Sequence, residues 1–203
     1  MVSSRIRSSF SRWFVVLLLA TAPAAANASP AGDLIARMAD QAIQTLAETD
    51  GKLAERETKL RALLVQGFDM EYIGQFVMGR YWKRATDDQK LDYLKAFSNY
   101  VAATYARRFG GYAGEKLEIS DERPAGPKET MVQTRIIRGQ APPILAEWRV
   151  RVDDKPARVV DVVIEGLSMS VSQREEFSSV IRQHGIDGLI HILQARAGRL
   201  GAQ

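Results

Sequence analysis

From Ile144 to Val152 the chain alternates between two kinds of residue. Ile144, Ala146, Trp148, Val150 and Val152 are apolar, while Glu147, Arg149 and Arg151 between them are charged and only Leu145 is not. A period of two marks a strand with one face buried and one in water, the usual habit of antiparallel sheets. The chain is thereby committed to a sheet whose apolar face something else must cover. Its neighbours agree: Glu115–Ser120, Thr130–Arg138 and Arg158–Glu165 read as strands, with Ser168–Ser172 as a further short one. Pro124–Lys128 and Gly139–Pro143 read as turn-rich connections, and Asp153-Asp154-Lys155-Pro156 as a hairpin turn.

The cover is helical. Leu34, Ile35, Met38, Ala42 and Leu46 recur at three- and four-residue spacing up to a break at Thr49-Asp50-Gly51. A second amphipathic stretch carries Leu53, Leu60, Leu63 and Leu64 and stops near Gly67. Asp69 can cap a third helix, with Phe68 and Ile73 at the spacing of a hydrophobic staple. Thr86-Asp87-Asp88-Gln89 is a capping box opening a helix with Leu91, Leu94, Phe97, Val101 and Tyr105 on one face, ending at Gly110-Gly111. Helices at 174–183 and 188–197 close the chain, with Gly185 as a C-terminal cap and Asp187 as an N-cap. Helices, then an antiparallel sheet, then helices make an α+β fold. We expect four to five strands in a curved sheet wrapped by about six helices, an NTF2-like cone with an added helical layer around an apolar cavity.

The N-terminus reads as a leader. Arg5, Arg7 and Arg12 precede the apolar run Trp13–Ala20, and Ala26-Asn27-Ala28 has the small residues of a cleavage site. This is the pattern of a Sec-type signal peptide cut after Ala28, leaving residues 29–203 as one domain. The run is short for a membrane span, which needs about 20 residues; a retained anchor is the other reading. The leader also distorts the charge. The formal net charge is +4, but three arginines lie in the leader, so 25 Lys and Arg face 24 Asp and Glu beyond it. No Lys/Arg block interleaved with aromatics stands out, and nucleic acid is not an expected partner. With no cysteine in the sequence, disulfides and thiolate metal sites are excluded.

Little in the chain suggests catalysis. Asp161 and Glu165 sit at i and i+4 of one strand and share a face, so in a cavity one could act as a general base. Alternation instead puts Asp161 on the solvent face and Glu165 at the strand end. His184 and His191 have no ligand at helical spacing, and we expect a helix-end His184 and a partly buried His191. No glycine pattern fits a nucleotide site. Neither a metal nor a cofactor is expected.

Inward positions by period are Phe76, Val77, Tyr81, Phe97, Val101, Tyr105, Val132, Ile136, Trp148, Val150, Val162, Ile164, Met169 and Val171. Periodicity alone does not separate solid core from cavity wall. Four motifs in order add to this: Phe68-Asp69 followed by Phe76-Val77-Met78-Gly79-Arg80-Tyr81-Trp82; Ala85–Gln89; Phe97 with Tyr100 and Tyr105; and Val160–Ser170 followed by Gly185-Ile186-Asp187-Gly188-Leu189-Ile190. Across roughly residues 60–193 the chain resembles the periplasmic phospholipid-carrier family of the toluene-tolerance and lipid-asymmetry (Mla) transport systems. The resemblance implies a periplasmic carrier, not an enzyme, with phospholipid chains held among the inward residues. It implies two partners: an outer-membrane lipoprotein complex and an inner-membrane ABC lipid transporter. A hopanoid- or sterol-type carrier and a small-molecule enzyme using the same cavity are the alternatives. The leader predicts a mature chain that begins at Ser29 and is released by osmotic shock; N-terminal sequencing that finds Met1 on membrane-bound protein would contradict it.

Overall fold

The structure, a computed structural model, describes residues 29–47, 53–109, 114–153 and 156–201. The leader, the break at Thr49-Asp50-Gly51, the stop at Gly110-Gly111 and Asp154-Lys155 of the hairpin turn lie outside the described residues. The period-two segment forms one antiparallel sheet in the order β1 (Lys116–Gly126), β2 (Glu129–Arg138), β3 (Ala141–Arg151), β4 (Arg158–Ile164) and β5 (Leu167–Ser168). Along β3, Ala146 and Val150 are buried as the alternation requires, while Leu145 is exposed.

Three boundaries differ from the sequence reading. β1 continues to Gly126 through two register shifts, because an edge strand can hold Pro124 without needing its missing donor. β3 starts at Ala141, so the β2–β3 turn is reduced to Gly139-Gln140. The chain beyond Ser168 is helix, not strand: α5 starts at Met169 and runs to Gly201, bent at Gly185, whose φ of 70° and ψ of −179° are not helical. The two C-terminal helices expected are present as the two arms of α5, and they meet at the non-helical Gly185. Asp187, expected as an N-cap, instead accepts from Gln89 Nε2 at 2.9 Å and ties the second arm to the start of α4.

The helices ahead of the sheet are α1 (Pro30–Ala47), α2 (Leu53–Gly67), α3 (Met70–Met78) and α4 (Asp87–Phe109), with a 3-10 turn at Gly79–Arg84. Their ends are set by local chemistry. Ser29 Oγ accepts from the amides of Ala31 and Gly32 and donates to Glu122 of β1, capping α1 and fastening it to the sheet edge. Asp69 accepts from Tyr72 N at 3.0 Å. Thr86 and Gln89 exchange both bonds of the capping box, at 3.2 and 3.1 Å. Phe68 and Asp69 also occupy the edge of β4 that the two-residue β5 leaves open: Phe68 bridges Val159, and Asp69 N donates to Val159 O at 2.9 Å.

Two large packed regions result, beside a small third one of Leu46, Leu60 and Ala106 between α1, α2 and α4. In the first, Ala31, Leu34 and Ile35 of α1 lie on Val132, Val150 and Val159 of the sheet. In the second, α3, the 3-10 turn, α4 and α5 enclose Val77, Tyr81, Tyr93, Phe97, Phe177 and Leu189. Tyr93, Phe97 and Phe177 meet face and edge at 5.7–6.4 Å, and Tyr93 OH donates to Gly74 O at 2.9 Å. Burial pushes the Tyr93 phenol far above its ordinary range, so it stays neutral. Leu91, expected on the inner face of α4, is exposed, and Tyr93 is the deep residue of that turn. Phe177→Ala should cost about 3–5 kcal/mol and Tyr93→Phe about 1 kcal/mol in urea denaturation, since the first empties a ring site and the second removes one buried hydrogen bond.

Candidate functional site

The two large packed regions do not meet, and between them lies a cavity of about 400 Å³. One wall is the inner face of the sheet, with Leu117, Ile136, Ile144, Trp148, Val162 and Ile164. Facing it are Ile35, Met38, Ile43 and Leu46 of α1 with Leu60, Leu63 and Leu64 of α2. Met70, Ile73, Val77, Phe97, Val101 and Tyr105 of α3 and α4 close the third side, beside Phe68. The valines beneath α1 seal one end. At the other end, where β1 begins and β2 finishes, Glu115, Lys116 and Arg138 border the space with Gln173 of α5, so this is the mouth.

The indole in the wall is already used, whereas Arg138 Nε at the mouth is buried without a hydrogen-bond partner among the described residues. Trp148 Nε1 donates to Thr134 Oγ1 at 2.9 Å, and that hydroxyl donates to Ala146 O at 3.1 Å. The indole therefore turns no unpaired donor toward the cavity. What the wall offers a guest is dispersion and exclusion of water, with no direction built in.

Asp161 corrects the sequence reading. It borders the cavity instead of facing solvent, and its carboxylate accepts from Ser168 Oγ at 2.6 Å and Ser170 N at 3.1 Å. Ser168 Oγ in turn accepts from Val171 N at 3.1 Å. Asp161 and Ser168 together cap α5, with the carboxylate at the positive end of the helix. The register of β4 shifts between Val159 and Asp161, which buries Val159 and Val160 together and turns Asp161 toward α5. Glu165 and Gly166, with φ of 48° and 81°, form the two-residue turn into β5. Glu165 Oε1 there accepts from Leu145 N at 2.8 Å. His184 is exposed at the bend of α5; His191, expected to be partly buried, is exposed too.

Nine of the inward positions line the cavity: Val77, Phe97, Val101, Tyr105, Ile136, Trp148, Val162, Ile164 and Met169. Five lie elsewhere. Val132 and Val150 are fully buried in the seal under α1. Phe76 and Tyr81 pack on the helical core, away from the sheet. Val171 is 44% exposed on the first turn of α5. Period identifies a buried face and is silent on what lies across from it. The α1–α2 wall adds Ile35, Met38, Leu60, Leu63 and Leu64, which are absent from the expected inward positions although their apolar stripes are plain in the sequence.

Residues 36–195 match the MlaC protein family. The chain belongs to the MlaC family. The intermembrane phospholipid transport system binding protein MlaC of Haemophilus influenzae is 27% identical over 202 residues, covering 93% of this chain and 94% of that protein. A phospholipid-binding protein from Ralstonia solanacearum, solved in complex with a phospholipid, has the same fold: TM-score 0.74 at 22% identity, over 85% of this chain and 99% of that one. In this MlaC-family chain Asp161 should act as a helix anchor. Asp161→Ala is expected to lower stability by about 1–2 kcal/mol, read from the urea midpoint, while His191→Ala leaves the midpoint unchanged.

Proposed function

We propose that residues 29–203 form a single periplasmic carrier domain that holds the acyl chains of a phospholipid in the cavity and leaves the headgroup at the mouth. In this reading the carrier moves lipid between an outer-membrane lipoprotein complex and an inner-membrane complex with an ABC-type transporter. It performs no chemistry on its cargo. The observation that carries the reading is the deep apolar space, walled on three sides and sealed at one end, in a chain of the MlaC family. The name of the Haemophilus influenzae relative and the lipid held by the Ralstonia solanacearum protein support the choice of cargo.

The energetics fit a carrier. Some thirty methylenes at about 0.8 kcal/mol each amount to roughly 25 kcal/mol of exposure that an aqueous crossing would incur. A surface groove cannot offset that, whereas an enclosed cavity can. Affinity relative to a bilayer stays modest, because donor and acceptor shelter the chains as well. The cavity also links cargo to stability. Left as a dry void, 400 Å³ at roughly 24 cal/mol per Å³ would cost ~10 kcal/mol, comparable to the net stability of a whole domain.

Mass spectrometry of an organic extract of the purified protein should find diacyl phospholipids; polycyclic triterpenoids in their place would overturn the choice of cargo. Val162→Trp provides the matching test of the site. A ring forced into solid core should cost about 1–3 kcal/mol. In the cavity it should leave a folded protein, melting no lower than delipidated wild type, with severalfold less phospholipid per folded molecule. A strongly destabilised variant with normal lipid content would mean that Val162 is core.

A further inference from the structure

The carrier reading leaves one row of cations without a role. Arg80 and Arg84 stand over the ring of Tyr81, at 5.1 and 5.9 Å from its centre, and Arg80 Nη2 donates to Tyr81 OH at 3.1 Å. Arg174, near the start of α5, stands 5.2 Å over the ring of Phe76. It also fills the space beside Gly79, where a Cβ would meet its Nε at 2.9 Å. Arg182 reaches the same phenol: the Arg80 hydrogen bond, opposed by burial and helped by the charges of Arg80 and Arg182, holds Tyr81 below the ordinary phenol range. Exposed Lys83 extends the row.

Among the described residues, none of these four arginines has a carboxylate within ion-pair distance. Of the acids near them, Glu176 is taken by Arg196 at 2.8 Å and Asp87 by Lys90 at 2.9 Å, while Glu175 and Asp88 are exposed and form no ion pair with the four arginines. Against the expectation from sequence, a basic block interleaved with aromatics is present. Arg80-Tyr81-Trp82-Lys83-Arg84 is one, and folding adds Arg174 and Arg182 from far along the chain.

The row continues toward the mouth. Val171 lies one helical turn before Arg174 and is 44% exposed; Leu167, a further four residues back, is 65% exposed. Met169, Ser170 and Gln173 of the same segment line the cavity. One stretch of chain thus joins the cavity wall, two exposed apolar side chains and the cations.

We propose that this face seats the protein on an anionic phospholipid surface, with Arg80, Arg84, Arg174 and Arg182 on headgroup phosphates and Leu167 and Val171 among the outer methylenes. The proposal rests on the carrier reading, because a carrier has to meet a source of lipid. Stacking on Tyr81 and Phe76 orders the guanidinium planes, and their remaining N–H edges suit phosphate oxygens. An acidic protein would answer the charge alone. Unpaired cations beside exposed leucine and valine are the pattern of a bilayer interface.

Co-sedimentation with vesicles tests it, using phosphatidylcholine alone and phosphatidylcholine mixed with phosphatidylglycerol. Wild type should partition at least about tenfold better onto the mixed vesicles at low salt, and the preference should fade as salt rises. The variant Arg80→Gln/Arg84→Gln/Arg174→Gln/Arg182→Gln should lose the preference, while the same four changed to Lys should keep most of it. Phospholipid extracted from the Gln variant should match wild type, which separates this surface from the cavity; wild type empty of phospholipid would count against the carrier reading and not against vesicle binding. Equal partition of wild type onto both vesicles would overturn the proposal, as would mixed-vesicle binding undiminished in a folded Gln variant. If the Gln variant does not fold, the lipid and salt dependence of wild type decides.

Discussion

Val132, Val150 and Val159 pack without a gap beneath the first turn of α1, and this contact decides how the rest of the sheet is used. It holds α1 against the sheet at one end only. Ser29 and Glu122 reinforce that end with a polar tie between helix cap and edge strand. From there α1 and α2 diverge from the sheet: Leu46 and Leu60 pack on each other and on Ala106 of α4, while Ile43, Leu63 and Leu64 line the space opposite the sheet. A tighter contact along the whole length would give an ordinary two-layer core with no cavity.

Such a space is tolerable because stability is supplied around it. The aromatic group of Tyr93, Phe97 and Phe177 closes the helical side, and the valine seal closes the sheet side. Both border the cavity, through Phe97 on one side and Ile35 on the other, yet most of their contacts are with each group's own members. The wall can therefore serve a flexible apolar guest through contacts without direction. Directed interactions are spent on architecture: Asp161 on the start of α5, Glu165 on the backbone of β3, Thr134 on the indole of Trp148. Each of these polar groups resembles a functional residue until its partners are named.

Much of this was legible in the chain. The alternation of β3 depends only on which side of a pleated strand meets water, and the caps at Asp69 and Thr86 are chemistry between neighbours. The β5–α5 boundary was not legible, because Ser168–Ser172 is short and has strand character. What makes it helical is the carboxylate of Asp161, brought to the helix start by a bulge in β4. The cavity wall was half legible for a similar reason. Nine of the inward residues face the space, yet Val132 and Val150, indistinguishable from them by period, lie under α1.

By itself, then, the sequence determined the α+β class, the faces of the elements and the ends of most helices, all of which follow from forces acting within a few residues. Only the tertiary structure decided where apolar faces touch and where they stand apart, because that depends on the distance between elements far apart in the chain. The same cause governs the arginine row. Arg80 and Arg84 are neighbours on one turn, but Arg174 and Arg182 join them only because α5 packs against α3 and the 3-10 turn, and separation in sequence carries no information about that contact.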